Sequence, residues 1–239
     1  MNRYIVALFS KHKKKNLPGK LKGTWFDEWM SYGYIMLLSS FIFQGMLYAN
    51  WRENAVKIGI DVVITLLLSL FIQWWVGLLI AHTLNYCLNG QAVCVFFHMR
   101  AGNLKPQQFY EGTVALKKRL DRCKYVDAAI SYGSLSTGQW HPSSDIDIRF
   151  IPKKGELNYW LLALWAVSAR MRAFIKGYPL DMYVFTMKHT YDVMSKKEVP
   201  IIFKDVHGEH GQYYSRTMGF DEFCAMFRRM HLGDVGNES

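Results

Sequence analysis

The chain has 239 residues, 51% of them hydrophobic and 20% charged, and its 29 Lys+Arg against 19 Asp+Glu give a net charge of +10. That composition excludes a disordered chain, and the length suits one domain with a further element, or two small domains. The four cysteines (Cys87, Cys94, Cys123, Cys224) form no CxxC pair and read as free thiols in a reducing compartment.

In chain order, residues 1–31 form a basic segment, with Arg3, Lys11, Lys13, Lys14, Lys15, Lys20 and Lys22 against Asp27 and Glu28. Tyr32 to Ala49 then carries no charge. As a helix those residues would extend about 27 Å, close to the hydrocarbon thickness of a bilayer. Asn50 to Lys57 is a short polar stretch, and a second apolar run follows from Ile58 to about Leu88 with Asp61 as its only formal charge. The pattern predicts a transmembrane helical hairpin over 32–88. Asp61 would lie near one face and Trp74 and Trp75 at the other, because aromatic residues favour those depths and a carboxylate at the centre is costly. The competing arrangement is a hairpin buried inside a globular domain, but a chain this short has little surface with which to cover two helices apolar all round.

The basic flanks predict a multi-pass membrane protein with both termini and the C-terminal domain cytoplasmic. A secretory leader does not fit, because the apolar run starts late and a second run follows it. The cluster Lys11-His12-Lys13-Lys14-Lys15 suits anionic lipid head groups. Much of the net charge lies in this segment, which argues against a nucleic-acid partner. Residues 89–108 read as a linker or interfacial element. His82, Asn85, Asn89 and Gln91 could meet a lipid-borne substrate or simply cap and turn the chain.

Residues 109–239 change character and read as an α+β domain. Phe109 to Arg122 has apolar residues at helical spacing, and Val126 to Tyr132 reads as a buried strand ending at Gly133-Ser134. Asp145 to Ile151 (DIDIRFI) alternates, so Asp145 and Asp147 share one face. Leu157 to Lys176 is a long helix stopped by Gly177, and Pro179 to Phe185 a third strand carrying Asp181. Two aspartates one residue apart on a strand project side by side and repel unless a cation lies between them. Their hard oxygens select Mg²⁺ or Mn²⁺. A glycine-serine turn opening a helix offers backbone N–H groups to phosphate. The bland alternative is three strand-end aspartates facing solvent.

Gly133-Ser134, ten intervening residues, Asp145-Ile146-Asp147-Ile148 and then Asp181 together resemble the signature of DNA polymerase β superfamily nucleotidyltransferases, most closely the minimal and antibiotic-modifying members. The resemblance covers Val126 to Phe185. It implies a polymerase-β-like domain with a mixed sheet and helices, behind the two transmembrane helices. It implies two Mg²⁺ (or Mn²⁺) ions on Asp145, Asp147 and Asp181, and an NTP whose phosphates meet Gly133 and Ser134. It also implies attack of an acceptor hydroxyl on the α-phosphorus with loss of pyrophosphate. The membrane segment suggests an acceptor such as a lipid-linked sugar or glycan precursor, and leaves self-association or pairing with another membrane enzyme open. A degenerate, nucleotide-binding signalling protein is the alternative reading. Thr137, Gln139, His141, Ser143, Ser144 and Arg149 are further candidates near the phosphates. His207 and His210 lack two further ligands at a spacing that would suit zinc.

Overall fold

A computed structural model describes residues 9–10, 23–29, 31–99, 102–194 and 198–233. The basic run Lys11 to Lys15 lies outside the described residues, as do Arg3, Lys20, Lys22 and Arg100. The chain forms two compact units: residues 1–102 with 163–179, and residues 103–162 with 180–239.

The first unit is helical. It contains α1 (Trp25–Trp29), α2 (Gly33–Phe43), α3 (Trp51–Leu68), α4 (Trp74–Leu88) and α5 (Gln91–His98). The apolar run expected as one span is cut short. After Phe43 the chain turns at Gln44, whose φ of 47° is left-handed, and then at Gly45. The stretch expected as a loop is instead the start of α3. The Asn50 side chain accepts from the N–H groups of Arg52 (2.8 Å) and Glu53 (3.1 Å), an N-cap that starts the helix there. The hairpin turn falls at Ser69 to Gln73, between α3 and α4.

These breaks overturn the transmembrane expectation. The helix α2 has 11 residues and α4 has 15, while the 18 residues of α3 include Arg52, Glu53, Lys57 and Asp61. Among the described residues no helix is long and apolar enough to cross a membrane. The two transmembrane helices are therefore absent from the fold. The multi-pass topology, with both termini and the C-terminal domain cytoplasmic, loses the spans on which it rested.

Three of the four charges of α3, those of Glu53, Lys57 and Asp61, turn inward. Glu53 and Lys57 are buried, and Arg170 pairs with Glu53 while its Nη1 donates to Asn89 Oδ1 at 3.2 Å. Lys57 Nζ donates to the Gln44 carbonyl (2.8 Å). Asp61 holds His82 Nδ1 with one oxygen and Asn85 Nδ2 with the other, both at 2.8 Å. His82 and Asn85, candidates for a lipid-borne substrate or for turning the chain, thus lie in an internal network. A small core of Met36, Val95 and Met99 lies on the α2–α5 side.

The second unit is α+β with a mixed sheet, as expected, and the sheet has five strands. It contains α6 (Pro106–Arg122), β1 (Val126–Tyr132), β2 (Ile146–Pro152), α7 (Glu156–Ile175), β3 (Leu180–Val184), α8 (Met187–Val193), β4 (Ile201–Asp205), β5 (Met218–Gly219) and α9 (Phe220–Phe227). The helix α7 runs on into the first unit after Leu162. Its end is set by Gly177 at φ 62°, with the Gly177 and Tyr178 N–H groups returning to Phe174 and Ala173 carbonyls. Strand order is β3-β2-β1-β4-β5. The strand β1 is antiparallel to β2 and β4, whereas β2–β3 and β4–β5 are parallel. One sheet face buries Ala128, Ile130 and Ile151 with Met187, Tyr213 and Tyr214. A separate aromatic cluster stacks Phe109 on Phe227 with Trp140 edge-on.

Candidate active site

Register builds the site. In the parallel β2–β3 pair Asp147 is the partner of Asp181 and Arg149 of Tyr183. In the antiparallel β1–β2 pair Tyr132 faces Asp147 and Ile130 faces Arg149. Asp145 lies one residue before β2, so the Asp-x-Asp alternation carries it to the same side. One carboxylate oxygen from each of Asp145, Asp147 and Asp181 lies within 4.8 Å of the other two. Asp181 is buried and the other two are half-buried.

The carboxylates fit a divalent ion. Oxygens bound to one magnesium ion at about 2.1 Å lie roughly 3–4 Å apart, so a trio within 4.8 Å needs to close by at most about 1–2 Å. The all-oxygen donor set suits Mg²⁺ or Mn²⁺ rather than a softer metal. Among the described residues these three form the one group of His, Cys, Asp or Glu arranged to hold a metal.

Gly133 follows β1 directly, at φ 98°, a backbone region that side chains rarely enter. A Cβ there would stand 3.4 Å from Asp147 Oδ2, which places the turn against the carboxylates. Its N–H donates to Glu198 Oε2 at 2.8 Å. An anionic oxygen thus already occupies a position where a phosphate oxygen could be received. Ser134 opens a single 3₁₀ turn, Ser134–Thr137. The Ser134 side chain lies outside the described residues. Ser136 fastens the turn, its hydroxyl donating to the Gly133 carbonyl at 2.7 Å.

Arg149 is inserted beneath the carboxylates. Its guanidinium lies 4.9 Å from the Tyr183 ring centre and 5.1 Å from that of Tyr132, and Nη1 donates to the Ile148 carbonyl (3.1 Å). Burial pulls its pKa down, but Tyr132, Asp147 and Asp181 outweigh this and raise it. The Tyr132 hydroxyl is pushed up to about 12 by burial; Arg149 draws it back, while Asp147, Asp181 and Glu198 push it further.

Other sequence candidates have local duties. The N–H of His141 donates to Ser144 Oγ (2.9 Å) and His141 Nδ1 meets Ser143 Oγ (2.8 Å), so both serines turn the chain before β2. Thr137 and Gln139 are exposed. His210 is bound to Asp205, and His207 lies 3.4 Å from Asp127. Asp205 also accepts from the N–H groups of His207, Gly208 and His210 and so shapes that loop. Burial works against its charge, but the bonds from His210 and Gly208 hold its pKa below the usual carboxylate value.

Sequence reasoning missed Glu198, which is 65 positions from Gly133. No local pattern signals it, because only the fold brings the two together. It also did not mark β4, although Ile201, Ile202 and Phe203 form an apolar run beside Pro200. No known protein family and no curated protein matches this chain.

Proposed function

We propose that the chain is a nucleotidyltransferase, moving an NMP from an NTP to an acceptor hydroxyl at Asp145, Asp147 and Asp181. The observation that carries this reading is the convergence of the three carboxylates, within 4.8 Å, beside the Gly133 turn. Like charges so close are unfavourable without a cation, so a site built this way suits cation-dependent chemistry.

The three aspartates hold Mg²⁺ or Mn²⁺. Bound there, the metal would supply Lewis-acid stabilisation of the charge that develops on the phosphate oxygens. The Gly133 N–H and the 3₁₀ turn receive the phosphate chain, after Glu198 gives up that N–H. Arg149 keeps a fixed positive charge under the carboxylates and limits their repulsion before substrate arrives. Asp181, the most deeply buried of the three, takes the acceptor proton. The acceptor oxygen bonds to the α-phosphorus and the bond to the bridging oxygen breaks, releasing pyrophosphate. The acceptor class suggested by the sequence, a lipid-linked sugar or glycan precursor, rested on the transmembrane helices and loses that support with them.

Full-length protein incubated with α-labelled NTPs, Mg²⁺ and a membrane lipid extract tests the reading. Transfer of label with release of pyrophosphate, abolished by Asp147→Asn, is the expected result. NTP that binds and is never turned over would point instead to a nucleotide-binding regulator. Equal transfer by wild type and Asp147→Asn would refute the site.

A further inference from the structure

The outer surface of the α3–α4 hairpin belongs to the first unit, whereas Asp145, Asp147 and Asp181 belong to the second. Its ionisable groups collect at the base, where Asp61 is bonded to His82 and Asn85. From Val62 to Ala81 no ionisable residue occurs. That distal part is exposed and apolar, with Leu70 at 74%, Phe71 at 84% and Leu67, Trp75 and Leu79 each above half. Two of its hydroxyls are turned back on the helices: Ser69 Oγ donates to the Leu66 carbonyl (2.8 Å) and, near the base, Thr83 Oγ1 to that of Leu79 (2.7 Å), while Thr65 Oγ1 is buried and Gln73 is exposed in the turn. A monomer in water rarely presents so continuous an apolar patch without a partner.

We propose that this tip embeds in the hydrocarbon of a single leaflet of an anionic bilayer, without crossing it. Length is the first argument. Asp61 to Ser69 extends about 12 Å along α3, and the turn adds a few ångströms, against about 15 Å for half of a bilayer's hydrocarbon. Shape is the second. At about 100° per residue, the exposed positions of α4 from Trp74 to Leu84 sweep roughly 280° of its circumference. A second copy of the chain would cover one side of such a tip, whereas lipid surrounds it. Charge is the third. The chain carries +10, and residues 1–31 hold seven cations and two acids, which suits anionic head groups. The internal hydrogen bonds of Ser69 and Thr83 meet the demand that lipid makes on those two hydroxyls.

The test uses the full chain and vesicles of phosphatidylcholine and phosphatidylglycerol, floated in about 1 M NaCl, where the Debye length is about 3 Å and attraction by charge alone is lost. The protein should float with the vesicles, and Leu67→Glu or Phe71→Asp should reduce the bound fraction at least tenfold with an unchanged circular-dichroism spectrum. Vesicles of lipid brominated deep in the acyl chain should quench tryptophan fluorescence. Trp74→Phe with Trp75→Phe should remove most of that quenching. A protein that stays in solution in high salt, or that dimerises through the hairpin and ignores the vesicles, overturns the proposal. So does quenching that survives the loss of both tryptophans. Labelling of Ser69→Cys by an impermeant reagent trapped inside the vesicles overturns it too, because the tip would then have crossed.

Discussion

Asp147 stands directly across from Asp181 on neighbouring parallel strands, and the register that pairs them also pairs Arg149 with Tyr183 one layer down. A row of negative charge therefore lies on a row made of one cation and its aromatic walls. Metal affinity, fold stability and nucleotide transfer should all respond to this pairing.

Removing one carboxylate should separate stability from activity. Asp147→Asn relieves repulsion, so the metal-free variant should melt at or above the wild-type temperature. Added Mg²⁺ should raise the wild-type Tm by mass action and leave that of the variant nearly unchanged. Asp181→Asn should in addition lower turnover by about 10²–10⁴-fold, the usual size of lost proton-transfer help. Thermal melts with and without Mg²⁺, alongside a pyrophosphate-release assay, check both.

Arg149→Met keeps most of the volume and removes the charge. Buried Asp181 and half-buried Asp147 would lose their compensating cation, so the metal-free variant should be less stable than wild type. Mg²⁺ should bind more tightly to the variant, because the site is then more negative, and should recover part of the lost stability. Denaturant titrations at several Mg²⁺ concentrations decide the matter. An Mg²⁺ response identical to wild type would mean that Arg149 does not feel the site.

Glu198→Gln weakens the anion now held by the Gly133 N–H. If nucleotide phosphate must displace that carboxylate, the variant should show a lower KM for NTP with kcat little changed. A rise in KM would instead make Glu198 part of the substrate's support.

Alkaline pH should unfold the second unit in a defined window. Tyr132 is pushed up to about 12 chiefly by burial, and Tyr214 to about 12 by burial together with Tyr132 and Tyr191. A folded pKa raised above the unfolded value of about 10 leaves stability intact below about pH 10 and erodes it toward about pH 12. Melting temperature should stay level to about pH 9.5 and then fall, and Tyr132→Phe should soften the fall. Tyrosinate absorbance followed with pH gives the independent check.

The Arg170–Glu53 pair is almost wholly buried, at 2% and 1% exposure. Glu53→Gln should cost about 3–5 kcal/mol, because it leaves the guanidinium without its anion. Urea unfolding measures this, and a change below about 1 kcal/mol would show water reaching the pair.

Much of the second unit could be read from residue order. Val126 to Tyr132 is the observed β1, the DIDI alternation became β2 with a shift of one residue, and Asp181 arrived beside Asp147. Those features are local, or follow from strands that must bury an apolar face. The first unit misled because its apolar runs look continuous, while the breaks depend on Gln44 adopting a left-handed turn and on Asn50 capping α3. Charge was the second obstacle. Glu53 looks like a loop residue until Arg170, 117 positions later, closes on it. A partner that far along the chain leaves no periodic trace.

The composition of the two units from interleaved stretches has a practical consequence. Residues 163–179 belong with the N-terminal helices although they sit between β2 and β3 in the sequence. A protein trimmed to begin at residue 103 would retain Arg170 and discard both Glu53 and Asn89, stranding a cation on an apolar helix. No single scission liberates the second unit cleanly. Attempts to study it alone should excise the 163–179 excursion as well, or expect aggregation.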